Sequence, residues 1–145
     1  MKQKIFIALA LSLSALFAAS CSSSGQNKSH EDQSELRKKM EKTAQQYLSQ
    51  ARSKLAQKQL EAAKATIGDM RKKCYQAITA RKEGILLMDS IDLEMARQEL
   101  VRTDSLLHAG EPQLSQSDFD EACRKVEFYE RKLRHDIAAQ NKEQK

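Results

Sequence analysis

The sequence predicts an all-α protein of about four helices in antiparallel hairpins, with a long third helix at the centre. Three observations carry this reading. Past residue 29 the chain holds only Gly68, Gly84, Gly110 and Pro112, so the residues that most disfavour helix interiors are scarce. Ala, Leu, Lys, Glu, Gln and Arg, which lose little side-chain freedom in a helix, make up most of the body. Apolar residues recur there at steps of three and four, and no run alternates with a period of two.

The chain opens with a segment of another kind. Lys2 and Lys4 precede an apolar run from Ile5 to about Phe17, and the small residues Ala18, Ala19 and Ser20 follow. A charged, then apolar, then small-residue order is that of a secretory leader, and the run is shorter than the roughly 20 residues needed to span a bilayer. Residues 1–20 are therefore expected to be removed. Ala18 and Ser20 suit a general signal peptidase. Ala18-Ala19-Ser20-Cys21 also resembles the lipobox of bacterial lipoproteins. That resemblance implies that Cys21 becomes the first residue and carries a diacylglyceryl group on sulfur and a further acyl chain on its amine. Two or three chains give lasting attachment where one gives only marginal binding. The small, polar residues 22–29 read as a tether. Ser22 is not the aspartate that retains some lipoproteins at the inner membrane, so the resemblance implies the outer membrane. The expected organisation is a leader (1–20), an anchor and tether (21–29), a helical domain (30–141) and a disordered tail (142–145).

The first helix follows Leu36, Met40, Ala44, Tyr47, Ala51 and Leu55, at steps of 4, 4, 3, 4 and 4. Lys58 and Gln59 then break the stripe, and a second series begins at Leu60 and runs through Ala63, Ile67, Met70 and Cys74. This slip of phase predicts a tight turn at residues 57–59, the alternative being one helix with a shifted stripe. Ala51, Leu55, Leu60, Ala63 and Ile67 resemble the spacing of a tetratricopeptide-type helical hairpin, which implies an antiparallel pair brought close by alanines.

A third helix is expected over residues 76–109. It carries one stripe at Ile85, Met88, Ile91 and Met95 and another at Leu86, Leu93, Leu100 and Leu107. Two stripes mean neighbours on two sides. Gly84 would mark a close crossing or a kink. Gly110 and Pro112 end the helix. Ser117 offers an N-cap for the fourth, ahead of Asp118, Asp120 and Glu121, acids that suit the positive end of a helix dipole. Its stripe runs Phe119, Ala122, Val126, Tyr129, Leu133 and Ile137, with Phe128 off the stripe.

The full chain has 25 basic and 20 acidic residues, a net charge of +5; losing Lys2 and Lys4 with the leader brings this to +3. The basic groups Arg37-Lys38-Lys39, Arg71-Lys72-Lys73 and Arg131-Lys132-Arg134 are interleaved with acids, and no nucleic-acid partner is expected. Export places Cys74 and Cys123 where thiols oxidise, so they form either a disulfide or two buried thiols. His30, His108 and His135 show no metal-ligand spacing. Asp89 with Asp92, and Asp118 with Asp120, could serve acid–base chemistry but on helices more often meet solvent, Arg or Lys. No nucleotide-binding, zinc-protease or serine-hydrolase motif occurs, so neither an enzyme nor a cofactor is expected. The whole resembles small helical lipoproteins of Gram-negative bacteria. The expected function is a lipid-anchored structural or protein-interaction module of the cell envelope, with the membrane as one partner through Cys21 and a protein or a second copy as another. The alternative is a carrier holding an apolar molecule among Met70, Met88 and Met95.

Overall fold

A computed structural model describes residues 24–143, so the leader and Cys21 lie outside the described residues. Four helices follow in order: α1 (Ser24–Ala56), α2 (Leu60–Lys73), α3 (Ile78–His108) and α4 (Gln116–Glu143). The fold is all-α, and α3 is the central element, packed against α1 and α2 on one side and α4 on the other. Its 31 residues reach about 46 Å at 1.5 Å per residue.

The break at residues 57–59 is real. Gln59 N–H donates to Lys54 O and Lys58 N–H to Leu55 O, each at 2.9 Å, and Lys58 takes φ 61°. This is the double closure that ends many helices, usually with glycine at the left-handed position. At the end of α3 the same closure recurs with that glycine: Glu111 N–H donates to Leu106 O, Gly110 N–H to Leu107 O, and Gly110 has φ 76°.

The core lies where α1, α2 and α3 meet. Ala44, Leu48, Ala51, Ala63, Ile67, Met70, Ala77, Ala80 and Ile91 are wholly buried. Small residues alternate with large ones there, so the helices approach closely and the large side chains interlock. Gly84 sits at the tightest point. A Cβ there would lie 2.7 Å from Met70 Cε and 3.7 Å from both Ile67 Cγ2 and Leu48 Cδ2. Its role is a close crossing. Glu41 of α1 ties the layer together by accepting the Ala80 N–H with Oε1 at 2.6 Å, satisfying a free donor in the first turn of α3.

Several expectations need correction. α1 begins at Ser24, so residues 24–29 continue a helix and are not a separate coil. α4 runs to Glu143, which pairs with Lys82, so residues 142 and 143 are helix and not tail. The N-cap of α4 is Ser115 and not Ser117. Asp118 Oδ2 accepts from Ser115 N–H (2.8 Å) and Oγ (2.6 Å), the carboxylate half of a capping box, while the Asp118 N–H donates to the Ser115 carbonyl. The two bonds it accepts hold the Asp118 carboxyl below its ordinary range.

The Cys74–Cys123 disulfide does not form. Cys74 is a buried thiol at the end of α2, and Cys123 is a half-buried thiol on α4. Antiparallel pairing sets Lys125 against Glu99, so Cys123 lies beside the far end of α3, while Cys74 precedes its first residue. More than 30 Å of helix separates them, against the 7 Å at most that a bridge allows.

Candidate functional site

The two stripes of α3 meet different partners. Gly84, Leu87 and Ile91 face the three-helix core, with Met88 and Met95 packed at its edge, while Ile85 stays 37% exposed. On the other side Leu86, Leu93, Leu100 and Leu107 recur every seven residues, with Asp89, Ala96 and Thr103 between them, as in one strand of a coiled coil. α4 answers with Ala122, Val126, Tyr129, Leu133, Asp136 and Gln140. Leu93, Ala96 and Ala122 are buried, and Leu86, Leu100, Leu107, Val126, Tyr129 and Leu133 are half-buried. The α4 stripe thus ends on Asp136 and Gln140, and the expected Ile137 is 41% exposed.

Into this seam the chain sets a charged cluster. Asp89 is 2% exposed, yet its Oδ1 accepts from Lys132 Nζ of α4, and its Oδ2 has no hydrogen-bond partner. Lys132 also donates to Asp136 Oδ2 at 3.1 Å, and His135 Nδ1 lies 2.9 Å from Asp136 Oδ1. Burial pushes the Asp89 carboxyl up; Lys132 opposes that shift, and the neighbouring Asp136 carboxyl adds to it. Asp136, held by His135, Lys132 and Asp89 in that order, drops to about 2. Lys132 rises through its bond to Asp89. Two carboxyls that share Lys132 are thus driven in opposite directions, one toward keeping a proton and one toward shedding it.

The cluster can fix register and hold a proton; access is another matter. A groove of about 220 Å³ between α3 and α4 is lined by Asp136, Lys82, Ile85 and Gln140, without Asp89. Among the described residues no three His, Cys, Asp or Glu side chains are placed to hold a metal ion.

The other sequence candidates are dispersed. Asp92 pairs with Lys64 of α2 at 2.7 Å. Asp120 accepts from Gln116 at 3.1 Å. His108 bonds within its own helix turn, to Asp104 O at 2.8 Å. Met70 is wholly buried against Gly84, and of the three methionines only Met95 lines the largest cleft. That cleft, about 590 Å³ at the α1–α2 turn, is otherwise walled mainly by Lys58, Gln59, Glu61, Gln98, Glu99 and Arg102. Sequence reasoning missed Leu48, Leu87 and the partnership of Asp89 with Asp136. The spacing of Asp89 from Leu86 and Leu93, three and four residues, was the available signal for its place in the seam.

No family model, curated protein or solved structure matches the chain. Among the described residues no helix is long and apolar enough to cross a membrane.

Proposed function

We propose that this chain is a lipid-anchored, exported helical module of the bacterial cell envelope, without catalysis, held at the outer membrane by Cys21 and offering its α3–α4 hairpin to a protein partner or a second copy. The leader and the lipobox-like Ala18-Ala19-Ser20-Cys21 support the location. The observation that carries the interaction role is the hairpin itself. Among the described residues α4 packs on α3 alone, and the two leave Val101 66% exposed, Phe128 54% exposed and most of the leucine seam half-covered. Phe128 meets Tyr129 edge to face, centroids 5.2 Å apart, so the exposed ring is held by its neighbour. A carrier for an apolar molecule is disfavoured because Met70 is wholly buried in the core and the cleft at the α1–α2 turn is rimmed by Lys58, Glu61, Glu99 and Arg102.

Two measurements test the proposal. Metabolic labelling with a fatty acid should mark the wild-type chain and leave Cys21→Ala unmarked; a wild type without label ends the anchoring claim. A photoreactive residue at position 128, in cells, should give a discrete higher-mass adduct. Absence of any adduct from positions 101 and 128 alike would remove the interaction role.

A further inference from the structure

The corner where α2 turns into α3 gathers cations and exposed apolar side chains. Most lysines and arginines of the α3–α4 half are paired: Lys125 with Glu99, Arg97 and Arg134 with Glu130, Arg131 with Glu127, Lys132 with Asp89 and Asp136. At the corner, Arg71, Lys72, Lys73 and Arg81 have no carboxylate within 4 Å among the described residues, and Lys82 pairs only with Glu143 from the end of α4. Lys73 instead sits 5.6 Å from the centroid of the Tyr47 ring and donates to its hydroxyl at 3.2 Å. Arg81 donates to the Arg71 carbonyl at 3.1 Å.

Helix electrostatics explain part of this. Cations in the last turn of α2 are favourable beside its negative end. Arg81 and Lys82, however, stand at the start of α3, where the dipole disfavours positive charge. Nor does the dipole call for the apolar groups set among them. Tyr75 is 59% exposed and Ile78 50%, and with Ile85 they line a shallow groove of about 250 Å³ among Arg71, Arg81 and Lys82. Arg71 and Arg81, without a carboxylate partner, flank the exposed tyrosine and isoleucine, and Lys72 and Lys73 lie beside them at the end of α2; such a surface is complementary to an anionic headgroup layer over hydrocarbon. A nucleic acid would engage the cations and leave Ile78 in water.

We infer that the α2–α3 corner docks on an anionic lipid surface, with Arg71, Lys72, Lys73 and Arg81 on the headgroups and Tyr75 and Ile78 entering the interface. The inference takes from the proposed function only that the chain works beside a membrane. α1 enters the folded body at this end, since Glu41 meets Ala80 and Tyr47 meets Lys73. Residues 24–36 of α1 overhang the corner by about 18 Å, so docking sets α1 obliquely to the surface. Such contact orients the body and leaves the α3–α4 hairpin facing outward.

The chain contains no tryptophan, so Tyr75→Trp makes a unique reporter at the corner. It is to be read in the mature chain, residues 21–145, carrying Cys21→Ala, so that neither the leader nor an acyl anchor has a part in the result. Emission should shift to the blue on vesicles of phosphatidylglycerol and phosphatidylethanolamine, stay unshifted on phosphatidylcholine, and return in about 0.5 M salt. Changing Arg71, Lys72, Lys73 and Arg81 to Gln should weaken the response roughly fivefold per residue while circular dichroism stays unchanged. No shift on anionic vesicles, an equal shift on both vesicle types, an equal response to single-stranded DNA, or a shift that grows with protein concentration without lipid would each overturn the inference. Failed acyl labelling of wild type would not, so the two claims fall separately.

Discussion

One side of α3 is dry and the other is wet, although both carry apolar stripes of similar length. Toward α1 and α2, Gly84 and Ile91 lock against Leu48, Ile67 and Met70, and side chains vanish from solvent. Toward α4, every leucine of the seam but Leu93 is only half-covered, and the docking is stitched by Asp89–Lys132, Arg97–Glu130 and Glu99–Lys125. The difference is geometric. Two helices bury a narrow seam, whereas a third laid in their groove closes it. The core therefore holds by interlocking volume, and the hairpin by register. Exposed ion pairs add little stability, but a buried polar group at a seam position penalises every misaligned pairing.

The sharpest break of this contrast is a matched pair of truncations. Ile67→Ala, in the closed core, should cost about 4 kcal/mol, and Leu100→Ala, in the half-covered seam, about 1 kcal/mol. Equal losses in urea unfolding would mean that the two interfaces are not different in kind.

Lys132→Met probes the charged cluster. Removing it leaves Asp89 buried without its cation, at a cost of about 2 kcal/mol at neutral pH, below the usual range for buried pairs because the Lys132 side chain is 38% exposed. Asp89, with a raised pKa, binds its proton more tightly when folded, so its contribution declines as pH climbs from about 4 toward that raised value. Asp136, with a lowered pKa, acts oppositely: its contribution is complete above about 4 and is lost as pH falls toward about 2. The variant's penalty should thus shrink as pH falls from about 7 toward about 4, because the raised pKa of Asp89 favours its neutral form as protons become available. A penalty independent of pH between about 4 and 7 would show that Lys132 acts by packing alone.

The smallest effect concerns the two similar helix stops. Lys58→Gly should stabilise the protein by a few tenths to about 1 kcal/mol by relieving a left-handed lysine, less the exposed Lys58–Glu94 pair that is lost. A clear loss of stability would mean that this ion pair, and not the backbone, sets the turn.

Helix number, order and approximate ends were legible because each rests on local physics. The three-and-four spacing of Leu60, Ala63, Ile67 and Met70, and the glycine and proline after His108, act within a turn or two of chain. The α1–α2 break left only a slip of phase, because lysine occupies the position where glycine would announce the turn. Ser115 was passed over for Ser117 because both precede acids, and only the backbone path selects one.

Three features were decided by tertiary structure alone. Asp89 and Asp92 look alike in the chain, yet one is sealed under α4 and the other reaches Lys64. Cys74 and Cys123 look like a pair, yet a helix length divides them. The basic run at the end of α2 resembles any solvated helix face until the turn into α3 brings Tyr75, Ile78 and Arg81 beside it. Spacing along a chain determines which residues share a helix face. Which face then meets water, a carboxylate or another helix depends on how whole helices pack, and that is set by the sum of contacts between residues far apart in sequence.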